Sequence, residues 1–485
     1  MTKYDKKSNK AEEFINDTEI KDTISYADSN SDNLSLIEDI MKKAREMKGL
    51  SHREAAVLLN CENPEVNQKI RTLAAEIKQK LYGSRIVLFA PLYLSNYCVN
   101  KCTYCPYHLG NDAITRKKLT QEEIYNEVIA LQDMGHKRLA IELGEDPARN
   151  PIEYVLESIK TIYSVKHNAG AIRRVNVNIA ATTVENYKKL HEAAIGTYIL
   201  FQETYHKEQY EKLHPAGPKH DYAYHTESMD RAMDGGIDDV GLGVLFGLDL
   251  YKYEFIALLM HAEHLEAAKG VGPHTISVPR VRPATGINTD DFLNAVPDEI
   301  FEKIVALIRI AVPYTGMIMS TRESKEMRER ALTLGISQIS GGSKTSVGGY
   351  FEEPDSSEDT DSAHTENSDS AHTENSNHMH TENINTAHIP NEDTAQFEID
   401  DNRTLDEVIS WLVDMNHLPS FCTACYREGR TGDTFMSMIK GGLIAKNCHA
   451  NALETFEEYL QNYASPVTKE KGMQLIENIR NGSKK

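Results

Sequence analysis

The sequence lacks the features of a membrane-bound or exported chain. Its 485 residues include no run of about 18 apolar residues, the length that crosses a bilayer. The opening stretch, MTKYDKKSNKAEEF, has no apolar centre of a secretory signal and is too acidic for an organelle transit peptide. These absences predict a soluble, cytoplasmic protein with no membrane partner.

Basic residues are also few. The chain has 53 Lys and Arg against 73 Asp and Glu, which gives a formal charge of −20. Much of the excess negative charge is local, because residues 351–400 contain fourteen acidic residues and no basic one. The other 435 residues carry a net charge of −6. No basic stripe is available to neutralise phosphates, so the sequence argues against nucleic acid as a partner.

Cysteine is scarce as well, and its distribution is uneven. Six of the seven cysteines fall in two close groups, Cys98, Cys102 and Cys105 and then Cys422, Cys425 and Cys448. In a cytosolic chain such close spacing indicates metal binding rather than disulfides. Cys61 stands apart at the end of the apolar run AAVLLNC, which predicts a buried structural thiol.

Eight β-rich runs alternate with helical patterns through the middle of the chain: 85–95, 138–144, 173–181, 197–205, 238–247, 274–283, 315–322 and 336–343. This alternation predicts an α/β fold with a parallel (β/α)8 TIM-type barrel, and an open doubly wound sheet is the competing arrangement. In a barrel, the residues that follow the strands face one mouth. The first cysteine group follows the first run, and the polar stretches GED, QETYH and STRE follow three others.

The rest of the chain is divided by composition. The predicted parts are a disordered N-terminus (1–30), a helical lead-in (31–84), the barrel (85–350), a low-complexity loop (351–396) and a helical C-terminal domain (397–485). Ser51 and Glu54 form a predicted capping box in the lead-in. In the loop, DSAHTENS at 361–368 repeats at 369–376, which predicts disorder and repeat expansion, with weak metal binding as the alternative.

The first cysteine group has the spacing Cys98-x3-Cys102-x2-Cys105 on a loop after a strand. Three thiolates at this spacing can hold three corners of a [4Fe–4S] cluster. Without a fourth cysteine, one iron stays open to the amino and carboxylate groups of S-adenosylmethionine. A zinc site completed by His108 is the alternative.

With Tyr104 before its last cysteine, this CxxxCxxC stretch resembles the radical S-adenosylmethionine superfamily. In that superfamily a GGE-like tail of the second strand binds the methionyl amino group. The matching residues here are Gly144 and Glu145, so the resemblance implies that they and Tyr104 contact the cofactor. A solvated loop acid is the alternative for Glu145.

The second group, Cys422-x2-Cys425-x22-Cys448, again lacks a fourth cysteine. A second iron–sulfur cluster with an open iron is favoured, and a Cys3His zinc site with His449 is the alternative. This tail, with NVNIAATTVENY, ILFQETYH and HPAGPKHDY, resembles the HydG family of [FeFe]-hydrogenase maturases. The related 2-iminoacetate synthase of thiamine biosynthesis shares the barrel but lacks the C-terminal triad.

The resemblance implies a carbon–carbon lyase that uses a [4Fe–4S] cluster and S-adenosylmethionine to take hydrogen from the amino group of L-tyrosine. Cleavage of the Cα–Cβ bond gives p-cresol and dehydroglycine. An auxiliary cluster, [4Fe–4S] or [5Fe–5S] with an extra iron, converts the latter to carbon monoxide and cyanide for an Fe(CO)2(CN) unit. The implied partners are a reductant such as flavodoxin or ferredoxin, and other hydrogenase maturation proteins.

Arg322 follows the seventh run, where its guanidinium can hold the tyrosine carboxylate. A surface ion pair with Glu323 is the alternative. By resemblance, His274 is the predicted ligand of the extra iron, with a purely structural role as the alternative.

The other predicted site residues also lie at strand ends. At the end of the fourth run, Gln202 is expected at the cofactor, and Glu203 and Tyr205 at the substrate. Gly341 and Gly342, near the end of the eighth run, are expected to permit a close backbone approach to the nucleoside or substrate.

Two further functions fit the same residues. One is a tyrosine lyase of the thiamine type, in which the C-terminal cysteines hold zinc or nothing. The other is a non-enzymatic iron–sulfur scaffold that carries a cluster to a client. Iron content separates the first from a two-cluster enzyme, because about four irons per chain fit one cluster and about eight or nine fit two.

Overall fold

The computed structural model describes residues 3–351 and 394–482, without the side chains of residues 427, 446 and 447. Its centre is a closed barrel of eight strands: β1 Arg85–Ser95, β2 Arg138–Leu143, β3 Arg174–Asn178, β4 Tyr198–Ile199, β5 Val240–Gly243, β6 Thr275–Ser277, β7 Gly316–Met319 and β8 Gln338–Ser340. Each strand pairs in parallel with the next, and β8 returns to β1 through Val87 and Gln338. The predicted barrel is therefore confirmed, and the open sheet is wrong.

One further strand comes from the C-terminal region. β9, Leu418–Ser420, pairs in parallel with Arg85–Val87 at the beginning of β1. A short separate hairpin pairs Lys166–His167 with Gly170–Ala171. Because β9 joins the start of β1, the residues that follow it lie at the base of the barrel, opposite the mouth.

The helices surround the barrel and form both chain ends. They are α1 Ala11–Phe14, α2 Asp17–Ser29, α3 Leu34–Ala44, α4 His52–Asn60, α5 Pro64–Tyr82, α6 Gln121–Asp133, α7 Ile152–Ser164, α8 Val184–Glu192, α9 Lys207–Leu213, α10 Tyr222–Thr226, α11 Ser228–Asp234, α12 Tyr251–Lys269, α13 Asp298–Ala311, α14 Lys325–Leu334, α15 Leu405–Asp414, α16 Ala424–Arg427, α17 Gly432–Lys440, α18 Leu443–Asn462 and α19 Pro466–Gly482. Among the residues described, no helix combines the length and apolarity needed to span a membrane.

The helical lead-in packs on the outside of the barrel, where α4 and α5 contact α13. The capping box of Ser51 and Glu54 is present at the start of α4. Cys61 follows that helix and is fully buried. The prediction of a structural thiol at this position is confirmed.

The predicted disorder of residues 1–30 is wrong for the segment that forms α1 and α2. Phe14 is fully buried and stacks on the His264 ring, with 3.8 Å between the ring centroids. Ile20 and Ala27 are buried on one side of α2. The polar composition of this segment concealed a few apolar residues that are spaced to cover one helix face.

The predicted low-complexity loop lies largely outside the described residues. After it, residues 394–401 cross the mouth of the barrel as an extended segment. The backbone N–H of Gln396 donates to the Thr345 carbonyl at 3.0 Å, and the Tyr93 hydroxyl donates to Gln396 Oε1 at 2.9 Å. This segment covers the polar ends of the strands.

Candidate active site at the barrel mouth

A cavity of about 220 Å³ opens at the C-terminal ends of the strands. Eight of the predicted site residues line it: Cys98, Cys102, Tyr104, Cys105, Gly144, Glu145, Glu203 and Arg322. They come from the loops after β1 and β2, from the end of β4 and from the end of β7. The structure thus brings together the groups that the sequence placed at separate strand ends.

The cysteine loop is fixed to the tail of β2. Val99 N–H donates to the Glu145 carbonyl at 2.8 Å, and the Asn100 amide donates to Glu145 Oε2 at 2.6 Å. Gly144 lies so close to the loop that an added Cβ would be 2.4 Å from the Tyr97 carbonyl oxygen and 3.0 Å from Cys98 Cβ. A glycine is needed here because the loop and the strand tail are in direct contact.

Gly144→Ala is expected to displace the cysteine loop. Overpacking of this kind costs about 1–3 kcal/mol, so binding of S-adenosylmethionine to the reconstituted enzyme should weaken about tenfold or more. Gly341→Ala is the matched control, because its Cβ would meet only side-chain atoms, Leu405 Cδ1 at 3.2 Å and Val408 Cγ1 at 3.4 Å among them. Equal affinities in the two variants would contradict a role for the close contact at Gly144.

The three loop thiols suit an iron–sulfur cluster. Burial raises the pKa of Cys102 above its usual range and raises that of Cys105 to about 12. Buried thiols of this kind ionise when a bound metal supplies positive charge. Cys98, Cys102 and Cys105 would hold the cluster, and the cavity beside them offers room for S-adenosylmethionine.

Neither zinc alternative is supported by the described residues. His108 Nδ1 lies 2.7 Å from the Cys105 carbonyl oxygen, to which it must donate, so only its Nε2 is left to bind a metal. Within residues 3–351 and 394–482, no three His, Cys, Asp or Glu side chains converge tightly enough to hold one metal ion. A single zinc requires all its thiolates within about 2.3 Å of one atom, whereas a cluster spreads them apart.

Lys219 also lines the cavity, although it is not among the residues predicted from the sequence. Its Nζ lies 2.8 Å from Glu203 Oε1, and its backbone N–H donates to Asn100 Oδ1 at 2.9 Å. Burial disfavours the charge of Lys219, but the nearby Glu203 outweighs it and raises the pKa of the amine. Lys219 lies in HPAGPKHDY, a stretch used above only for its family resemblance, and that resemblance is the signal that could have drawn attention to it.

Glu203 itself has an unusual backbone conformation. Its φ is +69°, in the left-handed region that non-glycine residues rarely adopt. This turn at the end of β4 directs the Glu203 side chain into the cavity. Strained residues of this kind are concentrated at functional sites.

Arg322 faces the cavity and does not form the surface pair considered as its alternative. Glu323 instead pairs with Arg280, and with Arg282 at 3.0 Å. The Arg322 guanidinium lies 3.5 Å from the centroid of the Phe397 ring, which belongs to the segment that crosses the mouth. Burial lowers the pKa of Arg322.

Glu142, on β2, is a second cavity residue that was not predicted from the sequence. Burial raises its pKa to about 8, although the charge of Arg322 and a hydrogen bond from Asn178 oppose the shift. A carboxylic acid that keeps its proton up to this pH destabilises the fold once the proton is lost.

Glu142→Gln is expected to change the pH dependence of stability. The folded chain releases this proton near pH 8 and the unfolded chain near 4.5, so the Glu142 contribution is full below pH 4.5 and is lost as pH rises to 8. The variant should match the wild type at pH 4.5 and exceed it at pH 8.5 by on the order of 2–4 kcal/mol. Urea unfolding of the cluster-free chain at both pH values, with the exposed Glu122→Gln as control, measures this. A difference independent of pH would contradict the assignment.

Four predicted cofactor or substrate residues lie outside the cavity. Gln202 Nε2 donates to Thr226 Oγ1 at 2.9 Å, and the Tyr205 hydroxyl lies 2.8 Å from His261 Nδ1. Both side chains point into the helical layer, because Thr226 belongs to α10 and His261 to α12. Neither side chain is among those that line the cavity, and the roles of Gln202 and Tyr205 stay predictions.

Gly341 and Gly342 also lie outside the cavity, against the C-terminal region. A Cβ on Gly342 would lie 2.5 Å from Met134 Cε and 3.0 Å from the Leu405 backbone nitrogen. The close approach at these glycines is to α15 and to Met134, which follows α6. Packing of the C-terminal region, which the sequence does not reveal, explains their presence.

The second cysteine triad lies at the base of the barrel. Cys422, Cys425 and Cys448 line a cavity of about 40 Å³ with residues from the N-terminal ends of the strands, including Val87, Arg138, His274 and Gln338. Cys448 donates to Cys425, which lowers the pKa of the Cys425 thiol. The three thiols suit a negatively charged iron–sulfur cluster, which these cysteines would hold, and Arg85 also lines this cavity and offsets the negative charge.

His274 lies in this basal cavity, as expected of a residue near an extra iron. Its Nε2 is 2.8 Å from the Tyr426 hydroxyl, and its Nδ1 is 3.1 Å from Asp239 Oδ1. Both ring nitrogens of His274 thus have polar neighbours. Ligation of iron by His274 stays a prediction.

The comparisons with known proteins agree with this arrangement. Residues 92–262 match the radical SAM superfamily, and residues 277–417 match the biotin and thiamin synthesis associated domain. The 2-iminoacetate synthase of Salmonella typhimurium is 28% identical over 314 residues, which are 64% of this chain and 81% of the synthase. The chain is therefore a radical S-adenosylmethionine enzyme.

Two solved structures define the family more closely. A crystal structure of HydG, described as a maturase of the [FeFe]-hydrogenase, is 51% identical, with a TM-score of 0.85 over 96% of this chain and 92% of that one. HydG from Carboxydothermus hydrogenoformans is 35% identical, with a TM-score of 0.78 over 97% of this chain and 95% of that one. The chain belongs to the HydG family.

Proposed function

We propose that the chain is a tyrosine lyase of the HydG type. It cleaves L-tyrosine to p-cresol and dehydroglycine at the mouth of the barrel. It then converts dehydroglycine to carbon monoxide and cyanide at the basal triad, for an Fe(CO)2(CN) unit used in [FeFe]-hydrogenase assembly. A one-electron donor of the flavodoxin or ferredoxin class and other hydrogenase maturation proteins are the proposed partners.

The observation that carries this proposal is the presence of two incomplete cysteine triads at opposite ends of one barrel. On three strands, one residue lines the basal cavity and the residue two positions later lines the mouth cavity. These pairs are Val87 and Phe89 on β1, Arg138 and Ala140 on β2, and Gln338 and Ser340 on β8. A small product formed at the mouth therefore lies close to the basal cysteines.

The side chains at the mouth suit an amino acid substrate. When bound, the first cluster and S-adenosylmethionine supply the 5′-deoxyadenosyl radical. Arg322 offers a buried guanidinium to the tyrosine carboxylate, and Phe397 holds that guanidinium in place. Glu145 and Gly144 fix the cysteine loop beside the cofactor. The segment that carries Phe397 covers the mouth and helps to exclude water.

Anaerobic incubation of the reconstituted enzyme with dithionite, S-adenosylmethionine and L-tyrosine tests the proposal. Chromatography should detect p-cresol and 5′-deoxyadenosine in amounts that rise together. Absence of both from a preparation that contains iron at both sites would favour a non-enzymatic iron–sulfur scaffold. Phenylalanine in place of tyrosine is the matched substrate control.

A further inference from the structure

Two arginines lie side by side inside the base of the barrel. Arg138 and Arg174 are direct partners in the register of β2 and β3, so their side chains project to the same side of the sheet. They are 5% and 1% exposed. Both guanidinium groups lie against the Tyr426 ring. Two positive charges directly opposite each other on neighbouring strands destabilise the fold unless an anionic group lies beside them.

The protein satisfies these two cations only in part. Arg138 Nη2 donates to the Cys422 carbonyl at 3.0 Å, whereas its Nε has no hydrogen-bond partner among the described residues. Arg174 donates to Asn176 Oδ1 at 2.8 Å and to Thr197 Oγ1 at 2.7 Å. Its Nη1 also has no hydrogen-bond partner among the described residues. Buried guanidinium donors without acceptors are costly, so an acceptor is missing.

The carboxylate nearest to these arginines does not fill that need. Asp239 Oδ2 is 3.7 Å from Arg174 Nη2 and makes no hydrogen bond with the described residues. Its other oxygen accepts the Gly432 N–H at 3.0 Å and faces His274. Thr275 Oγ1 is a further buried polar atom without a partner in the described structure. The interior at this level thus has unused polar groups and an excess of positive charge.

The position of Arg138, the partner of Arg174 in the strand register, bears on the nature of the missing group. Arg138 lines the basal cavity together with the second cysteine triad, and Ala140, two residues further along β2, lines the mouth cavity. The basal cavity is about 40 Å³. This is space for a few atoms, since one water needs about 10–15 Å³ on this measure.

We infer that Arg138 and Arg174 form a binding site for a two-carbon carboxylate, on its way from the mouth to the second cysteine triad. This inference rests on the proposed function, in which dehydroglycine, HN=CH–COO⁻, is such a carboxylate. The planar guanidinium groups match a carboxylate with two oxygens. They hold the fragment beside Cys422 and keep it from leaving through the mouth.

Glyoxylate is the probe for this site, because it has the carboxylate and size of dehydroglycine with an oxygen in place of the imine nitrogen. Binding is measured by titration calorimetry on unreduced holoenzyme saturated with S-adenosylmethionine and L-tyrosine, so that Arg322 is occupied and no turnover occurs. Wild-type enzyme should bind glyoxylate, whereas Arg138→Gln and Arg174→Gln should each weaken binding about tenfold or more.

Arg173→Gln is the matched control. Arg173 is the neighbour of Arg174 and donates to Glu458 at 3.3 Å on the outside of the barrel, so its loss should leave glyoxylate binding unchanged. Absence of glyoxylate binding to the wild type, or equal binding to the wild type and both glutamine variants, would overturn the inference. Should a glutamine variant not fold, the lysine variant replaces it. Loss of the planar fork should then weaken binding about threefold, and unchanged binding would count against the site.

A second readout separates this inference from the proposed function. During turnover, the Arg138→Gln enzyme should form p-cresol within about twofold of the wild type while releasing more glyoxylate. Water adds to the imine carbon of escaped dehydroglycine and ammonia leaves, which gives glyoxylate. Absence of p-cresol from the wild type would contradict the tyrosine lyase proposal, whatever the result of the binding measurement.

Discussion

Replacement of both Cys422 and Cys425 by Ser is expected to abolish carbon monoxide formation and leave p-cresol formation within about twofold of the wild type. The reason is the separation of the two triads, which line different cavities at opposite ends of the barrel. Loss of thiolate ligands at the base should remove the second cluster without disturbing Cys98, Cys102 and Cys105. Trapping of carbon monoxide by deoxymyoglobin and chromatography of p-cresol measure the two products in one reaction.

Cys61→Ser is the matched control for the double variant. Cys61 is a buried cysteine outside both cavities, so its substitution should preserve both products provided that the chain folds. Carbon monoxide formation by the Cys422 and Cys425 double variant would refute the proposed division between mouth and base. Loss of both products would mean that the basal triad also supports tyrosine cleavage.

The second large loss of activity is expected for Arg322→Gln. Removal of a buried charge that holds the substrate carboxylate costs about 2–5 kcal/mol, so kcat/KM for p-cresol formation should fall by about 30-fold to several thousand-fold. Arg322→Lys keeps the charge but loses the planar fork, and it should recover part of the activity. The position of Arg322 against Phe397 makes the guanidinium geometry as important as its charge.

Arg330→Gln is the control for Arg322. Arg330 is 43% exposed and pairs with Asp298 and Glu302 on the outer helices, so it should leave kcat/KM unchanged. A normal KM for tyrosine in Arg322→Gln, with activity lost only through kcat, would argue against carboxylate binding by this residue.

Much of the fold could be predicted from the sequence because the signals are local. All eight predicted β-rich runs contain barrel strands, and the cysteine loop follows β1 as expected. The groups at the mouth could also be predicted, because parallel strands bring their carboxyl ends to one side of a barrel. Glu203 and Arg322 reach the cavity for this reason.

Other parts depend on contacts that the sequence does not encode locally. The second triad lies at the base of the barrel because β9 pairs with β1. The paired residues are more than 300 positions apart in the sequence. Gly341 and Gly342 appeared suited to a ligand, but the same close approach serves α15. Lys219 and Arg138 were missed because a single cation in a loop or strand is common. Their partners, Glu203 and Arg174, become neighbours only in the folded chain.

The iron content of anaerobically reconstituted enzyme tests the central claim most directly, because that claim is two cluster sites in one chain. We expect about eight or nine irons per chain in the wild type and about four in the Cys422 and Cys425 double variant. Iron and sulfide are determined on the same samples, so that loosely bound iron is not counted as cluster. About four irons in the wild type, unchanged in the double variant, would contradict the claim and leave a one-cluster lyase.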